Sequence, residues 1–138
     1  MRRLAEAAPP PLFPGVPSML RALAAGGIRL AVVTSNGERT VRRALGPEAA
    51  LIERFACGTA LFGKAARLTR LARALGIDPR RALAIGDERR DGEAARAAGL
   101  AFGAVGWGTT RPGALDDLAA VTFARVEDVV RYLLPDPP

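Results

Sequence analysis

The chain alternates between short apolar runs and longer stretches in which apolar residues recur every three or four positions. Short apolar runs predict buried strands, and the wider spacing predicts amphipathic helices. Strands are predicted at 28–34, 51–57, 81–86, 101–105 and 121–124. Helices are predicted from Val16 to the Gly26-Gly27 pair, before Gly46, and at 64–75, 91–98, 114–119 and 127–134. This alternation predicts a three-layer α/β sandwich, in which helices cover both faces of a mostly parallel, Rossmann-like sheet.

The domain organisation follows from the length and from the proline-rich ends. With 138 residues and a mass of 14.5 kDa, the chain can build a single hydrophobic core. Residues 1–11 begin as a helix and end in three prolines, which make a stiff connector. We expect one domain over residues 12–134 and a frayed tail at 135–138. Within the domain, the helix at 64–75 is predicted to turn Arg67, Arg70 and Arg73 towards solvent.

Composition narrows the possible partners. The net charge of +6 could indicate nucleic-acid binding, but Lys64 is the only lysine, the arginines are spread over several helices, and only 5% of residues are aromatic. We therefore expect no nucleic-acid partner. No run approaches the roughly 20 apolar residues of a membrane span. The N-terminus lacks the apolar core of a secretion signal, and a single cysteine cannot form an internal disulfide. These features predict a cytoplasmic protein without a membrane partner.

Two carboxylates follow the strand at 81–86. Asp87 comes directly after Gly86, and Asp91 lies in the first turn of the next helix. Ligands bind beyond the carboxyl ends of strands in open parallel sheets, so both side chains could face one point. Two such carboxylates beside a substrate phosphate are typical of a Mg²⁺ site. The alternative is purely local, with Asp91 only capping the helix.

Two further spots could bind phosphate. Ser35 and Asn36 lie between a buried strand and a helix start, where a hydroxyl, an amide and free backbone N–H groups can hold phosphate oxygens. Lys64 begins the next long helix, although a cation there opposes the helix dipole. Its ammonium could approach a phosphate or a nucleophilic carboxylate as a point charge. The local alternatives are an N-cap for Ser35 or Asn36 and a solvated lysine for Lys64.

The order and spacing of these spots resemble the haloacid dehalogenase-like phosphatases, in particular the phosphoglycolate phosphatase-like branch. Over residues 12–132, the resemblance implies Mg²⁺-dependent hydrolysis of a small phosphorylated metabolite. It implies that Ser35 and Asn36 hold the phosphoryl group and that Lys64 neutralises its charge. Asp87 and Asp91 would bind Mg²⁺, with Asp87 and Lys64 counted as catalytic. Phe13-Pro14-Gly15-Val16 resembles the branch's entry into this core after its cap, and residues 1–8 resemble the last cap helix.

The sequence departs from that family at the first motif, Asp-x-Asp, which supplies the nucleophile and a Mg²⁺ ligand. The first aspartate in this chain is Asp78. Loss of a nucleophile costs turnover on the order of 10⁶-fold in a serine protease. The missing motif also ends a strand that lies, in the family, between the strands that end at Ser35 and Gly86. We therefore expect weakened Mg²⁺ binding, no turnover, lower stability and a gap in the central sheet.

Three other interpretations remain open. The gap could accept a partner chain or allow self-association, in which case the chain is a binding or regulatory module, or a subunit completed by a partner strand. Residues 58–64 fit the G-x-x-x-x-G-K pattern of a P-loop nucleotide binder, although Ala65 replaces the Ser or Thr that holds the metal. Trp107 could line the substrate pocket or anchor a loop to the core.

Overall fold

A computed structural model describes residues 14–58, 63–106 and 113–134. Its helices are α1 (Val16–Ala25), α2 (Glu38–Leu45), α3 (Lys64–Leu75), α4 (Arg89–Ala98) and α5 (Val126–Leu133), and 3₁₀ turns cover Gly46–Leu51 and Pro79–Arg81. Its strands are β1 (Leu30–Val33), β2 (Ile52–Ala56), β3 (Leu83–Gly86), β4 (Ala101–Val105) and β5 (Val121–Phe123). Among these residues, no helix is long and apolar enough to cross a membrane.

The ends of the long helices follow local chemistry. Pro17 lies in the first turn of α1, where its missing N–H has no helical partner to lose. Helices α3 and α4 end at Gly76 and Gly99, which have φ values of 67° and 84°. Glycine adopts this left-handed conformation without a Cβ clash, so each helix stops and the chain turns towards the next strand.

The strands form two parallel sheets. One sheet pairs β1 with β2, and the other has the order β3-β4-β5. In the described part of the chain, β1 and β3 share no ladder, so the central sheet is divided between them. The gap therefore lies at the predicted place, between the strand before Ser35 and the strand that ends at Gly86.

Two apolar clusters join the divided sheets into one three-layer sandwich, as the α/β prediction requires. The first cluster lies between the strands and helices α1 and α5, and it includes Val32, Val105 and Phe123. The second lies against α3 and α4, and it includes Val33 and Phe102. Neighbouring residues of β1 thus enter opposite clusters, because successive side chains of a strand point to opposite faces.

The predicted helix at 114–119 is wrong, because the described residues 113–118 form successive turns. Six residues are too few for a helix that packing does not support. Instead, the turns bury Leu115 in the second cluster, and both guanidinium NH groups of Arg89 bind Asp117, with nitrogen–oxygen distances of 2.9 and 2.7 Å. Tertiary contacts therefore determine the conformation of residues 113–118.

The proposed cap remnant at 1–11 and the tail at 135–138 lie outside the described residues. Phe13, Phe62 and Trp107 also lie outside them, as do residues 59–62 of the P-loop-like pattern. The predicted boundaries and the roles suggested for these residues stay predictions.

The first cluster should dominate the stability of the fold. Leu20 is completely buried in it. We expect Leu20→Ala to lower the free energy of unfolding by about 3 kcal/mol, because the lost apolar contacts leave a cavity that collapses only in part. Urea unfolding followed by circular dichroism measures this loss.

Leu51→Ala is the matched control, because Leu51 is only partly buried against the same cluster. It should cost less than half as much. An equal loss for the two variants would contradict the assignment of the core to α1.

Candidate active site

The candidate residues lie on segments that follow the carboxyl ends of β1 and β3 or begin helices there. Ser35 and Asn36 follow β1, Asp87 follows β3, and Lys64 and Asp91 lie in the first turns of α3 and α4. This edge is where open parallel sheets bind their ligands, because the helix N-termini and strand ends leave polar backbone groups there.

The carboxylates predicted to bind metal lie close together. Asp87 is 1% exposed and Asp91 5% exposed. Each of these residues and Glu88 offers one carboxylate oxygen, and the three atoms lie within 4.8 Å of one another. Sequence reasoning missed Glu88, although its place beside Asp87 was a signal for it. The arrangement places three carboxylate oxygens that could hold a metal ion on one short segment.

Gly86 allows this close approach. A Cβ atom at position 86 would lie 2.6 Å from Asp91 Oδ2 and 2.9 Å from Asp91 Cβ, closer than side chains normally pack. Asp91 Oδ2 also accepts a hydrogen bond from the Glu88 backbone N–H, with a nitrogen–oxygen distance of 3.2 Å. Asp91 therefore folds back over the end of β3, and glycine makes room for it.

Lys64 contacts the carboxylate cluster directly. Its Nζ lies 2.7 Å from Asp91 Oδ1, and the two side chains are 19% and 7% exposed. A charge-assisted hydrogen bond at this distance, largely shielded from water, is much stronger than a surface ion pair. The structure thus brings together Lys64, Asp87 and Asp91, which come from two different helices and one strand end.

The Ser35-Asn36 segment is held by its neighbours. The Asn36 backbone N–H donates to Thr34 Oγ1 at 3.2 Å, and the Asn36 carbonyl accepts from the Gly58 N–H at 2.8 Å. Thr34 is completely buried, whereas Ser35 is exposed. The phosphate-binding role of Ser35, Asn36 and Lys64 stays a prediction, and so does the metal-binding role of Asp87 and Asp91.

Arg67 does not point to solvent as predicted. One of its terminal NH₂ groups donates to the carbonyls of Thr34 and Ala56, at 3.2 and 2.7 Å. These carbonyls lie at the ends of two parallel strands, and the Ala56 carbonyl also accepts from the Thr34 backbone N–H at 3.1 Å. The missed signal is spacing, because a residue three positions after Lys64 shares its helix face.

Electrostatics argues against Cys57 as a nucleophile. Burial raises the pKa of the Cys57 thiol, and the nearby Glu38 carboxylate raises it further. The thiol is therefore protonated at neutral pH, and the thiolate is the reactive form.

At the exposed start of α4, a hydrogen bond from Arg89 lowers the pKa of Asp117, which keeps that ion pair charged.

The Lys64–Asp91 pair should contribute to folding. Asp91→Ala leaves a largely shielded ammonium without this carboxylate, so we expect the free energy of unfolding to fall by about 3 kcal/mol. The double variant Lys64→Met/Asp91→Leu should recover at least half of that loss, because it removes both charges and keeps apolar volume.

Urea unfolding of the single variants Lys64→Met and Asp91→Leu and of the double variant gives the coupling energy of the pair. The exposed pair Arg80–Asp78 is the control, and its coupling should stay below about 1 kcal/mol. Additive losses at Lys64 and Asp91 would contradict a shielded pair.

A sequence profile described as haloacid dehalogenase-like hydrolase matches residues 4–105. A phosphoglycolate phosphatase of Synechococcus elongatus is 34% identical over 99 residues, which cover 70% of this chain and 47% of that protein. This chain therefore spans about half the length of its curated relative.

Solved structures share the fold. A predicted phosphoglycolate phosphatase from Haemophilus somnus has a TM-score of 0.76 and 26% identity, over 88% of this chain and 56% of that one. A predicted phosphatase from Clostridium acetobutylicum has a TM-score of 0.81 and 21% identity, over 91% and 61% of the two chains. The sequence match and the shared architecture lead to one conclusion: this chain belongs to the haloacid dehalogenase-like hydrolases.

Proposed function

We propose that this chain carries the phosphate- and Mg²⁺-binding edge of a phosphatase that acts on a small phosphorylated metabolite. The observation that carries the proposal is the contact between Lys64 Nζ and Asp91 Oδ1, beside the buried Asp87 at the carboxyl ends of the strands. A cation and carboxylates in one shielded place suit a ligand that consists of an anion and a divalent metal ion. The phosphoglycolate phosphatase relative favours a small phosphate monoester as substrate.

The carboxylate cluster fits Mg²⁺. Oxygen ligands from Asp87 and Asp91, with Glu88 beside them, match the preference of this hard cation, which usually retains several waters. When bound, Mg²⁺ would offset negative charge on a phosphoryl group. Several carboxylates in a buried place need positive charge nearby, and Lys64 supplies part of this compensating positive charge.

Phosphate would be bound by the groups after β1, across the site from the carboxylate cluster after β3. The exposed Ser35 hydroxyl, the Asn36 amide and the N-terminal backbone of α2 offer hydrogen-bond donors. Lys64, whose Nζ lies 2.7 Å from Asp91 Oδ1, adds a compact point charge. Together these groups would bind and orient the phosphoryl oxygens without reacting with them.

Turnover requires a further group. A covalent phosphoryl route needs a carboxylate in line with the phosphorus atom. Asp87, Glu88 and Asp91 form the metal cluster, and the sequence has no aspartate before Asp78. We therefore propose that these 138 residues bind phosphate and Mg²⁺ weakly and do not turn over substrate. A non-catalytic regulatory role, with the chain in the cytoplasm, is the second candidate, and the divided sheet favours it.

The purified chain should show no Mg²⁺-dependent release of phosphate from 2-phosphoglycolate or para-nitrophenyl phosphate, because a nucleophilic carboxylate is missing. A phosphate-release assay at millimolar substrate and long incubation measures this. Turnover that Asp87→Asn and Lys64→Ala each abolish, while Glu53→Gln keeps it, would contradict the proposal.

Mg²⁺ binding should depend on the carboxylate cluster in a way that needs no turnover. We expect Asp87→Asn to weaken Mg²⁺ binding at least tenfold, because a charged ligand becomes neutral. Lys64→Met should strengthen it, because the ammonium beside Asp91 repels the ion and occupies a ligand oxygen. Isothermal titration with MgCl₂ gives both affinities.

Glu53→Gln is the control for charge, since Glu53 lies near the start of β2 and pairs with Arg29 on the surface. It should leave the Mg²⁺ affinity within twofold. If Asp87→Asn and Glu53→Gln weakened Mg²⁺ binding equally, the binding would depend on the overall charge of the protein and not on a specific metal site, which would contradict the proposal.

A further inference from the structure

Arg67 ties the start of helix α3 to the ends of two strands. One of its terminal NH₂ groups donates to the Thr34 carbonyl at 3.2 Å and to the Ala56 carbonyl at 2.7 Å, and both bonds are partly buried. Thr34 directly follows β1, and Ala56 is the last residue of β2. The guanidinium therefore fixes α3 against the β1–β2 sheet at the edge where the candidate site lies.

The same carbonyls belong to the network that holds the Ser35-Asn36 segment. The Ala56 carbonyl also accepts from the Thr34 N–H at 3.1 Å, and the Asn36 carbonyl accepts from the Gly58 N–H at 2.8 Å. The Asn36 N–H donates to Thr34 Oγ1 at 3.2 Å. Because Ser35 directly follows Thr34, a shift of the Thr34 carbonyl moves Ser35. The bond from Arg67 thus acts on the backbone that carries the phosphate-binding candidates.

Lys64 attaches the same helix start to the other sheet. Its Nζ lies 2.7 Å from Asp91 Oδ1, so it holds α3 against the carboxylate cluster after β3. Lys64 and Arg67 are three positions apart, a spacing that places both side chains on one face of the helix. The first turn of α3 is therefore attached at two points, one on each side of the candidate site.

These two attachments set the distance between the phosphate-binding groups. Among the described strands, β1 and β3 share no ladder, so the ladders themselves leave Ser35 and Lys64 without a fixed separation. A phosphoryl group that is held by Ser35, Asn36 and Lys64 together needs that separation to be fixed. A site that is too loose by about 1 Å loses much of its function.

We propose that Arg67 is a positioning residue for phosphate binding. It contacts neither phosphate nor Mg²⁺, and it holds the Ser35-Asn36 segment at the distance from Lys64 that a phosphoryl group requires. This role rests on the proposed function and deepens it, because it names the side chain that keeps the phosphate-binding groups together. It acts on phosphate rather than on Mg²⁺, since the carboxylates follow β3 in the other sheet.

The test uses inorganic phosphate and Mg²⁺ as two separate ligands. We expect Arg67→Met to weaken phosphate binding by about tenfold, because both carbonyl contacts are lost and the groups move apart. The Mg²⁺ affinity should stay the same. The amide signals of Ser35 and Asn36 in an NMR titration give the phosphate affinity, and isothermal titration gives the Mg²⁺ affinity. A general loss of stability would weaken both alike, so equal losses would overturn the proposal.

Arg73→Met is the matched control for charge on the same helix. Arg73 is exposed in the last turn of α3, nine residues after Lys64, which is about 14 Å along the helix axis. At physiological ionic strength a charge at this distance is largely screened, so we expect no change in phosphate affinity. If Arg67→Met and Arg73→Met weakened phosphate binding equally, Arg67 would act only as one of many positive charges and the proposal would fail.

Arg67→Lys separates charge from geometry. An ammonium keeps the positive charge but lacks the planar guanidinium that presents fixed donors to both carbonyls, so we expect phosphate binding to weaken by about threefold or more. Phosphate binding as strong as that of the unaltered chain would mean that charge alone matters, which contradicts a positioning role. If Arg67→Met does not fold, the Arg67→Lys result decides.

Failure of the proposed function gives a different result. If inorganic phosphate shifts neither the Ser35 nor the Asn36 signal of the unaltered chain, the proposed function fails, and the role of Arg67 fails with it. If the unaltered chain binds phosphate and Arg67→Met binds it equally well, only the role of Arg67 fails.

Discussion

Helix α3 connects the two halves of a divided sheet at the edge where the candidate site lies. Arg67 binds the last carbonyls of the β1–β2 sheet, and Lys64, one turn earlier, binds Asp91 after the β3–β4–β5 sheet. No ladder joins the described strands β1 and β3, so these side-chain bonds and the shared apolar clusters set the relative position of the sheets. Both bonds involve a full charge and are partly buried, which makes them strong for side-chain contacts.

The candidate site depends on the same bonds. Asp91 is oriented by Lys64, by the Glu88 N–H and by contact over Gly86, so its carboxylate is fixed before any ligand arrives. Fixed ligands need less reorganisation when an ion binds. Because Lys64 also links the sheets, a ligand that draws it away from Asp91 would loosen that link. Lys64 therefore belongs both to the candidate site and to the connection between the sheets.

Much of this could be predicted from the sequence because the deciding information is local. Apolar runs gave the strands, and the pair Gly86-Asp87 marked a strand end with a carboxylate. The errors concern long-range contacts. Arg67 was predicted to point to solvent, but it donates to carbonyls at two strand ends. Residues 113–118 were predicted to be largely helical, but they form turns in which Leu115 and Asp117 have tertiary partners. Local patterns in the sequence do not show which distant acceptor an arginine will bind, because that acceptor is set by the tertiary fold.

The arginine-rich composition has a structural explanation in these contacts. Several arginines end on backbone carbonyls of distant segments, namely Arg29 on Leu75, Arg67 on Thr34 and Ala56, Arg89 on Ala114 and Arg96 on Asp117. Two of them also hold a carboxylate in a two-pronged ion pair, Arg29 with Glu53 and Arg89 with Asp117. The planar, many-donor guanidinium suits this double role, which an ammonium fills less well. Arg29 therefore closes the end of α3, Arg67 closes two strand ends, and Arg89 and Arg96 hold the turns at 113–118. The single lysine is found where a compact charge meets the carboxylate cluster.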